Sequence, residues 1–184
     1  MNTLQIVLLI IGLFIIWLVF IYNSLVRSKN RCQEGLADID VQLKRRYDLI
    51  PNLVETVKGY MQHEKSVFET VTAMRAQALN SQNLKDKAVA EDNLSGALKN
   101  LFAVAENYPQ LKANENFAKL QDELTDTEDK IQAARRFYNN MVMNYNTMLQ
   151  TFPNNIVVKI FHFVPMEFFG NLTSEEKEPV KVQF

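Results

Sequence analysis

No side chain between Met1 and Val26 carries a charge, and Leu4 to Ile21 is apolar apart from Gln5 and Gly12. As a helix this run reaches about 27 Å, close to the hydrocarbon thickness of a bilayer. The sequence predicts a transmembrane anchor over residues 1–26, with the span at about 4–22. Trp17 and Tyr22 lie toward its C-terminal end, and Tyr22 fits an interfacial aromatic. A cleaved signal peptide needs a basic n-region and a small-residue cleavage site. Neither flanks this run. Arg27, Lys29 and Arg31 follow it and no basic side chain precedes it, so the positive-inside rule places the N-terminus outside and the remainder in the cytoplasm.

Two apolar stripes then organise residues 27–153. The first runs Leu36, Ile39, Leu43, Arg46, Ile50, Leu53, Val57, Tyr60, Glu64, Val67, Val71, Met74, Ala78. The second runs Phe117, Leu120, Leu124, Thr127, Ile131, Ala134, Tyr138, Met141, Tyr145, Met148, Phe152. Both step alternately by three and four, which is the signature of helices with one buried face. Two such seams predict helices packed nearly antiparallel at about 20°. The fold expected is all-α: the N-terminal transmembrane helix followed by an up-and-down antiparallel four-helix bundle of long helices.

Pro51 removes one helical hydrogen bond, yet the apolar register passes through it. A kinked, continuous helix is therefore expected there. A further break is possible near His63 to Ser66, with Ser66 as a cap. "NSQNLKDK", residues 80–87, reads as a turn. Leu84, Ala88, Leu94, Leu98, Leu101 and Ala105 support a shorter helix that ends before Pro109. The last long helix is expected from near Gln110 to Pro153. Residues 154–170 are aromatic-rich and are expected to cover the bundle end or to meet a partner or membrane. Ile156, Ile160, Phe161, Phe163, Phe168 and Phe169 are the candidate interface. Residues 171–184 read as a polar tail whose "VKVQF" alternates like a strand.

A net charge of -1 and a pI near 6.1 give no electrostatic footprint for nucleic acid. Gly-rich phosphate loops, G-x-S-x-G and H-E-x-x-H are all missing from the sequence. His63 and His162 stand far apart without ligand-like spacing to acids, so neither a metal nor another cofactor is expected. A phosphorelay through His63, beside Glu64, is the remaining enzymatic idea. Cys32 is the single cysteine and reads as a solvated spectator, with palmitoylation of this juxtamembrane thiol as the alternative.

Arg46 and Glu64 fall on the first seam, where an unpaired charge is costly. Arg46 is expected to pair with a carboxylate such as Glu123 or Glu128. Arg135 and Arg136 pose the mirror problem toward Asp38, Asp40 and Asp48. Tyr138-Asn139 and Tyr145-Asn146 repeat at a seven-residue interval. The amides of Asn139 and Asn146 are expected to satisfy one another across helices and so fix the register.

"DIDVQLKRRYDLIPNLVETVKGYMQHE", "NYPQLKANENFAKLQDELTDTEDKI" and "ARRFYNNMVMNYNTMLQTFP" resemble the signature blocks of the LemA family. The resemblance implies a bacterial, membrane-anchored, helical protein with an up-and-down four-helix bundle. It further implies relatives among magnetosome-associated membrane proteins and links with a membrane zinc metalloprotease. It supplies no catalytic residues. Together, residues and resemblance predict a non-enzymatic, single-pass scaffold in the bacterial cell membrane that self-associates into a homo-oligomer, with no small-molecule substrate. The alternative is an adaptor for another membrane protein such as a metalloprotease.

Overall fold

The computed structural model describes residues 2–61 and 63–170, all helix, turn or extended segment with no strand among them. Helix α1 (Thr3–Lys58) is one uninterrupted element of 56 residues, about 84 Å long. It begins at Asn2, whose N–H donates to Gln5 Oε1 at 3.0 Å. It is long and apolar enough to cross a membrane, and none of the residues in its most apolar window is buried against protein.

Below that window one face of α1 turns inward. Leu25, Cys32, Gly35, Ile39, Leu43, Arg46, Ile50, Leu53 and Val57 are buried, spaced by threes, fours and one seven. The buried seam therefore begins well before Leu36. Gly35 permits a close approach to α5: a Cβ there would stand 3.4 Å from the Phe137 ring and the Tyr138 Cα. Cys32 is fully buried, so the expectation of a solvated spectator or an acylated thiol is corrected. Helix periodicity, counted back from Ile39, had placed it on the seam all along.

Pro51 lies inside α1, exposed, with helix on both sides. Its missing N–H leaves the Tyr47 carbonyl without its usual donor. Arg75 Nε fills that place at 2.9 Å. Arg75 belongs to α2 (Lys65–Asn80), which returns alongside α1. The turn falls between Gly59 and Glu64, seen at residues 59–61 and 63–64, directly after α1 ends. Tyr60 is consequently exposed rather than on the seam, Glu64 is the half-buried residue preceding α2, and Ser66 lies within α2 instead of capping it.

α3 (Leu84–Ala105) starts at Asn83, whose side chain accepts from Asp86 N–H at 2.8 Å. It packs along α2 and reaches α1 through Lys87–Asp40 at 2.5 Å. A short α4 (Pro109–Lys112) opens with proline at its first position, where no N–H is needed. The chain then breaks at Asn114. That side chain accepts from Asn116 and Phe117 N–H and donates to Tyr60 Oη at 3.0 Å. The last long helix, α5 (Glu115–Gln150), thus begins at this cap and not near Gln110.

α5 runs antiparallel to α1. Asn114 meets Tyr60, Asp126 meets Arg45, and Tyr138 lies against Gly35. Its buried line is Phe117, Leu124, Thr127, Ile131, Tyr138, Val142, Tyr145 and Leu149. The seam drifts after Tyr138, so Phe152 falls beyond the helix and is 79% exposed. Thr127 is the polar member, satisfied by donating to the Glu123 carbonyl at 2.6 Å. α6 (Asn154–Phe161) follows and ends at His162, whose φ of 55° reverses the chain. Residues 163–168 run back extended along α5. The alternating "VKVQF" tail lies outside the described residues.

Candidate functional site

Three polar or aromatic constellations stand out, and each joins elements distant in sequence. The first surrounds Arg46. Its guanidinium is 1% exposed and bonds Glu91 on α3, also 1% exposed. Nη1 of Arg46 donates to Ser95 Oγ at 2.8 Å and to Glu128 Oε2 at 2.5 Å. Ser95 Oγ donates to Glu128 in turn, and Tyr47 Oη donates to Glu91. Of the two expected partners only Glu128 engages Arg46. The deeper one, Glu91, was not anticipated. It stands three residues from both Ala88 and Leu94, on the buried stripe of α3, and that spacing was the available signal.

This cluster holds one cation against two carboxylates. Burial pushes the Glu91 carboxyl up from its ordinary range; Arg46 pulls it down in part, and Glu128 adds to the rise. Glu128 forms one wall of a groove of about 380 Å³ between α3 and α5, with Ser95, Phe102, Leu124 and Gln132 along it.

The second constellation is the C-terminal strap. Asn146 Nδ2 donates to the Met166 carbonyl at 2.9 Å and its Oδ1 accepts from the Met166 N–H at 3.0 Å. Asn139 repeats this with Phe169, at 3.3 and 2.9 Å. Tyr145 Oη donates to the Val164 carbonyl at 3.1 Å and Tyr138 Oη to the Glu167 carbonyl at 2.7 Å. The two asparagines therefore do not pair with each other across helices. Each reads one residue of extended backbone, as a neighbouring strand would. The seven-residue repeat on α5, about 10.5 Å, matches three residues of extended chain from Met166 to Phe169.

Phe169 is buried at the end of the strap, with Arg135 stacked over its ring at 5.1 Å. It is thus part of the core and not an open interface residue. Arg135 also bonds Asp92 at 2.7 Å, instead of Asp38, Asp40 or Asp48. Arg136 is exposed and makes no ion pair with the described residues. Desolvation raises the Tyr138 phenol to about 12 and the Tyr145 phenol above its ordinary value, with the Cys32 thiol adding to both. His63 lies in the turn between α1 and α2 and not on a helix face, which removes the geometry expected for a phosphorelay histidine.

The third constellation lies where α1 leaves its apolar segment. Tyr22 contacts Phe161 at 4.8 Å and Phe163 at 5.7 Å between ring centroids. Trp17 packs on Phe14 at 5.5 Å. Arg27 and Arg31 are exposed and Lys29 half-buried on the following turns. Ile156 and Ile160 are exposed, while Phe163 and Phe168 are half-buried.

An all-helical protein with one N-terminal helix of membrane-crossing length and apolarity is the class these features define. The LemA family model matches residues 35–184, and the chain belongs to the LemA family. It is similar to protein LemA of Metamycoplasma hominis, at 30% identity over 155 residues, covering 82% of this chain and 69% of that protein. It is also similar to the magnetosome protein MamQ of Magnetospirillum gryphiswaldense, at 23% identity over 182 residues, covering 85% of this chain and 67% of the relative. The magnetosome protein MamQ 2 of Paramagnetospirillum magneticum matches at 24% over the same extent.

Proposed function

We propose that the chain is a non-enzymatic, single-pass scaffold whose copies self-associate to organise or curve the membrane. In this reading residues 1–26 are the anchor. Residues 27–153 form an up-and-down four-helix bundle of α1, α2, α3 and α5. Residues 154–170 close its membrane-proximal end. The bundle faces the cytoplasm, because Arg27, Lys29 and Arg31 follow the span.

One observation carries the proposal. The lipid-length apolar segment and the buried seam belong to one uninterrupted helix, α1. A helix without a hinge transmits the position of its membrane end to the bundle, so neighbouring bundles meet at fixed angles. Repeated side contacts between such units close into rings or domes, or run on as filaments. Exposed Val89, Phe137 and Met143 leave apolar surface on the flanks for such contacts. The similarity to magnetosome proteins supports a role at a membrane.

Multi-angle light scattering of the full chain, extracted in mild detergent at micromolar concentration, tests this. The expected result is a discrete homo-oligomer. A lone monomer overturns self-association, and a stoichiometric second protein from native membranes would make the chain an adaptor instead.

A further inference from the structure

We propose that α6 and its flanking turns form a second, interfacial membrane contact, a foot that seats Phe152, Ile156, Ile160 and Val164 in the headgroup boundary beside the span. The proposal rests on the reading of Leu4–Ile21 as a transmembrane segment. Tyr22 follows that segment directly, and both Phe161 and Phe163 pack against its ring at steep angles, 57° and 61° between planes. These contacts fix the depth of α6: it sits where α1 crosses from hydrocarbon to headgroups.

At that depth α6 keeps two faces distinct. Val157 is 1% exposed and holds the helix to the core. Ile156 and Ile160, one turn apart on the flank beside it, are 47% and 55% exposed. Phe152 and Val164, before and after the helix, are 79% and 64% exposed. This apolar surface is continuous, through Phe161 and Tyr22, with the uncovered surface of the span. A helix of this pattern lies in the interface plane, its apolar face among the upper acyl chains. The charges agree. Between Thr151 and Met166 the ionisable side chains are Lys159 and His162, with no carboxylate, and Lys159 is exposed on α6. A surface of this kind meets lipid phosphates without repulsion.

The architecture explains why the strap matters to the foot. His162 reverses the chain, and Tyr145 and Asn146 then hold Val164 and Met166 to α5. α6 is thereby pinned at both ends against the bundle and presented to the bilayer as a rigid element.

The test uses indole quenching in nanodiscs of phosphatidylcholine and phosphatidylglycerol, with and without brominated acyl chains. Trp17 is the single native tryptophan and reports the span. Ile160→Trp in a Trp17→Phe background reports the foot. Val41→Trp in the same background is the aqueous control, on an exposed site far down α1. The expected result is strong quenching of Trp17 and of the indole introduced at position 160, with none at position 41. Quenched Trp17 with an unquenched, red-emitting probe at position 160 overturns the foot and leaves the span intact. An unquenched Trp17 overturns the span reading itself. Because position 160 is half exposed, the substitution leaves the core unchanged. Unaltered far-UV circular dichroism and melting are the check on folding.

Discussion

At Arg46 three helices share one guanidinium, and the cost of burying it is offset only while its partners remain. Replacing it with a neutral side chain strands Glu91 beside Glu128, with the weaker pull of Arg135 as its remaining counter-charge. Removal of one partner from such a buried set costs about 3–5 kcal/mol. Arg46→Met is expected to lower the denaturant midpoint accordingly. Glu91→Gln behaves differently. Burial raises the Glu91 carboxyl in the folded state, so its contribution to stability is full below its ordinary 4.5 and is lost as pH rises through the elevated folded value. The neutral amide removes that loss. Measured against wild type, Glu91→Gln is expected to become relatively more stable as pH rises from about 4.5 toward neutrality; a pH-independent difference would refute the assignment.

Arg75 offers a cleaner measurement at the same scale. It occupies the carbonyl that Pro51 orphans. Arg75→Met is expected to cost about 1–3 kcal/mol, the cost of an unsatisfied buried acceptor. In a Pro51→Ala background the restored N–H at position 51 serves that carbonyl, so the cost of Arg75→Met shrinks. A double-mutant cycle by urea unfolding checks the coupling; strict additivity would mean that the two sites do not share the Tyr47 carbonyl.

At the scale of elements, the strap is a segment without regular structure that α5 holds by its backbone. Its four tethers come from two Tyr-Asn pairs one heptad apart. Asn146→Ala strips both polar partners from Met166 and is expected to cost about 1–3 kcal/mol. Fast amide exchange confined to residues 163–170 would show that release. The tether from Tyr138 is also pH-sensitive. Its phenol is held up to about 12 in the folded state against an ordinary 10. The stability it contributes is complete below pH 10 and is lost between about 10 and 12. Titration by ultraviolet absorbance should show a late-ionising tyrosine that disappears in Tyr138→Phe.

Across the whole molecule the helices differ in how much they bury. α1 and α5 share the long seam from Leu25 to Val57. α2 buries only Phe68, Val71 and Ala78, and Arg75 adds a hydrogen bond to α1. Regions with less buried apolar surface open at lower free energy. Native-state hydrogen exchange is expected to show α2 opening below the global unfolding free energy, with the Gly59–Glu64 turn fastest and the seam of α1 and α5 slowest. Uniform exchange throughout would contradict this division.

Sequence by itself determined whatever depends on periodicity and local chemistry. The apolar run is long and apolar enough for one membrane-crossing helix. The three-four spacing dictates which faces of α1 and α5 turn inward. Proline at 109 bounds the shorter helix, whereas the start of α5 at the Asn114 cap, and not near Gln110, emerged only in the structure. The family blocks agreed with this reading, and the family model covers them. The tertiary structure alone decided which groups meet across long sequence separations. Glu91 could be placed on a stripe but not opposite Arg46, because that needs the relative shift of α1 and α3. Asn139 and Asn146 could be placed beside a seam, but a side-chain amide accepts any complementary donor and acceptor. That the partner is the returning backbone at Met166 and Phe169 follows from the reversal at His162, a conformation that no period announces. Periodicity is a property of one helix at a time, whereas pairing is a property of the shared space between them.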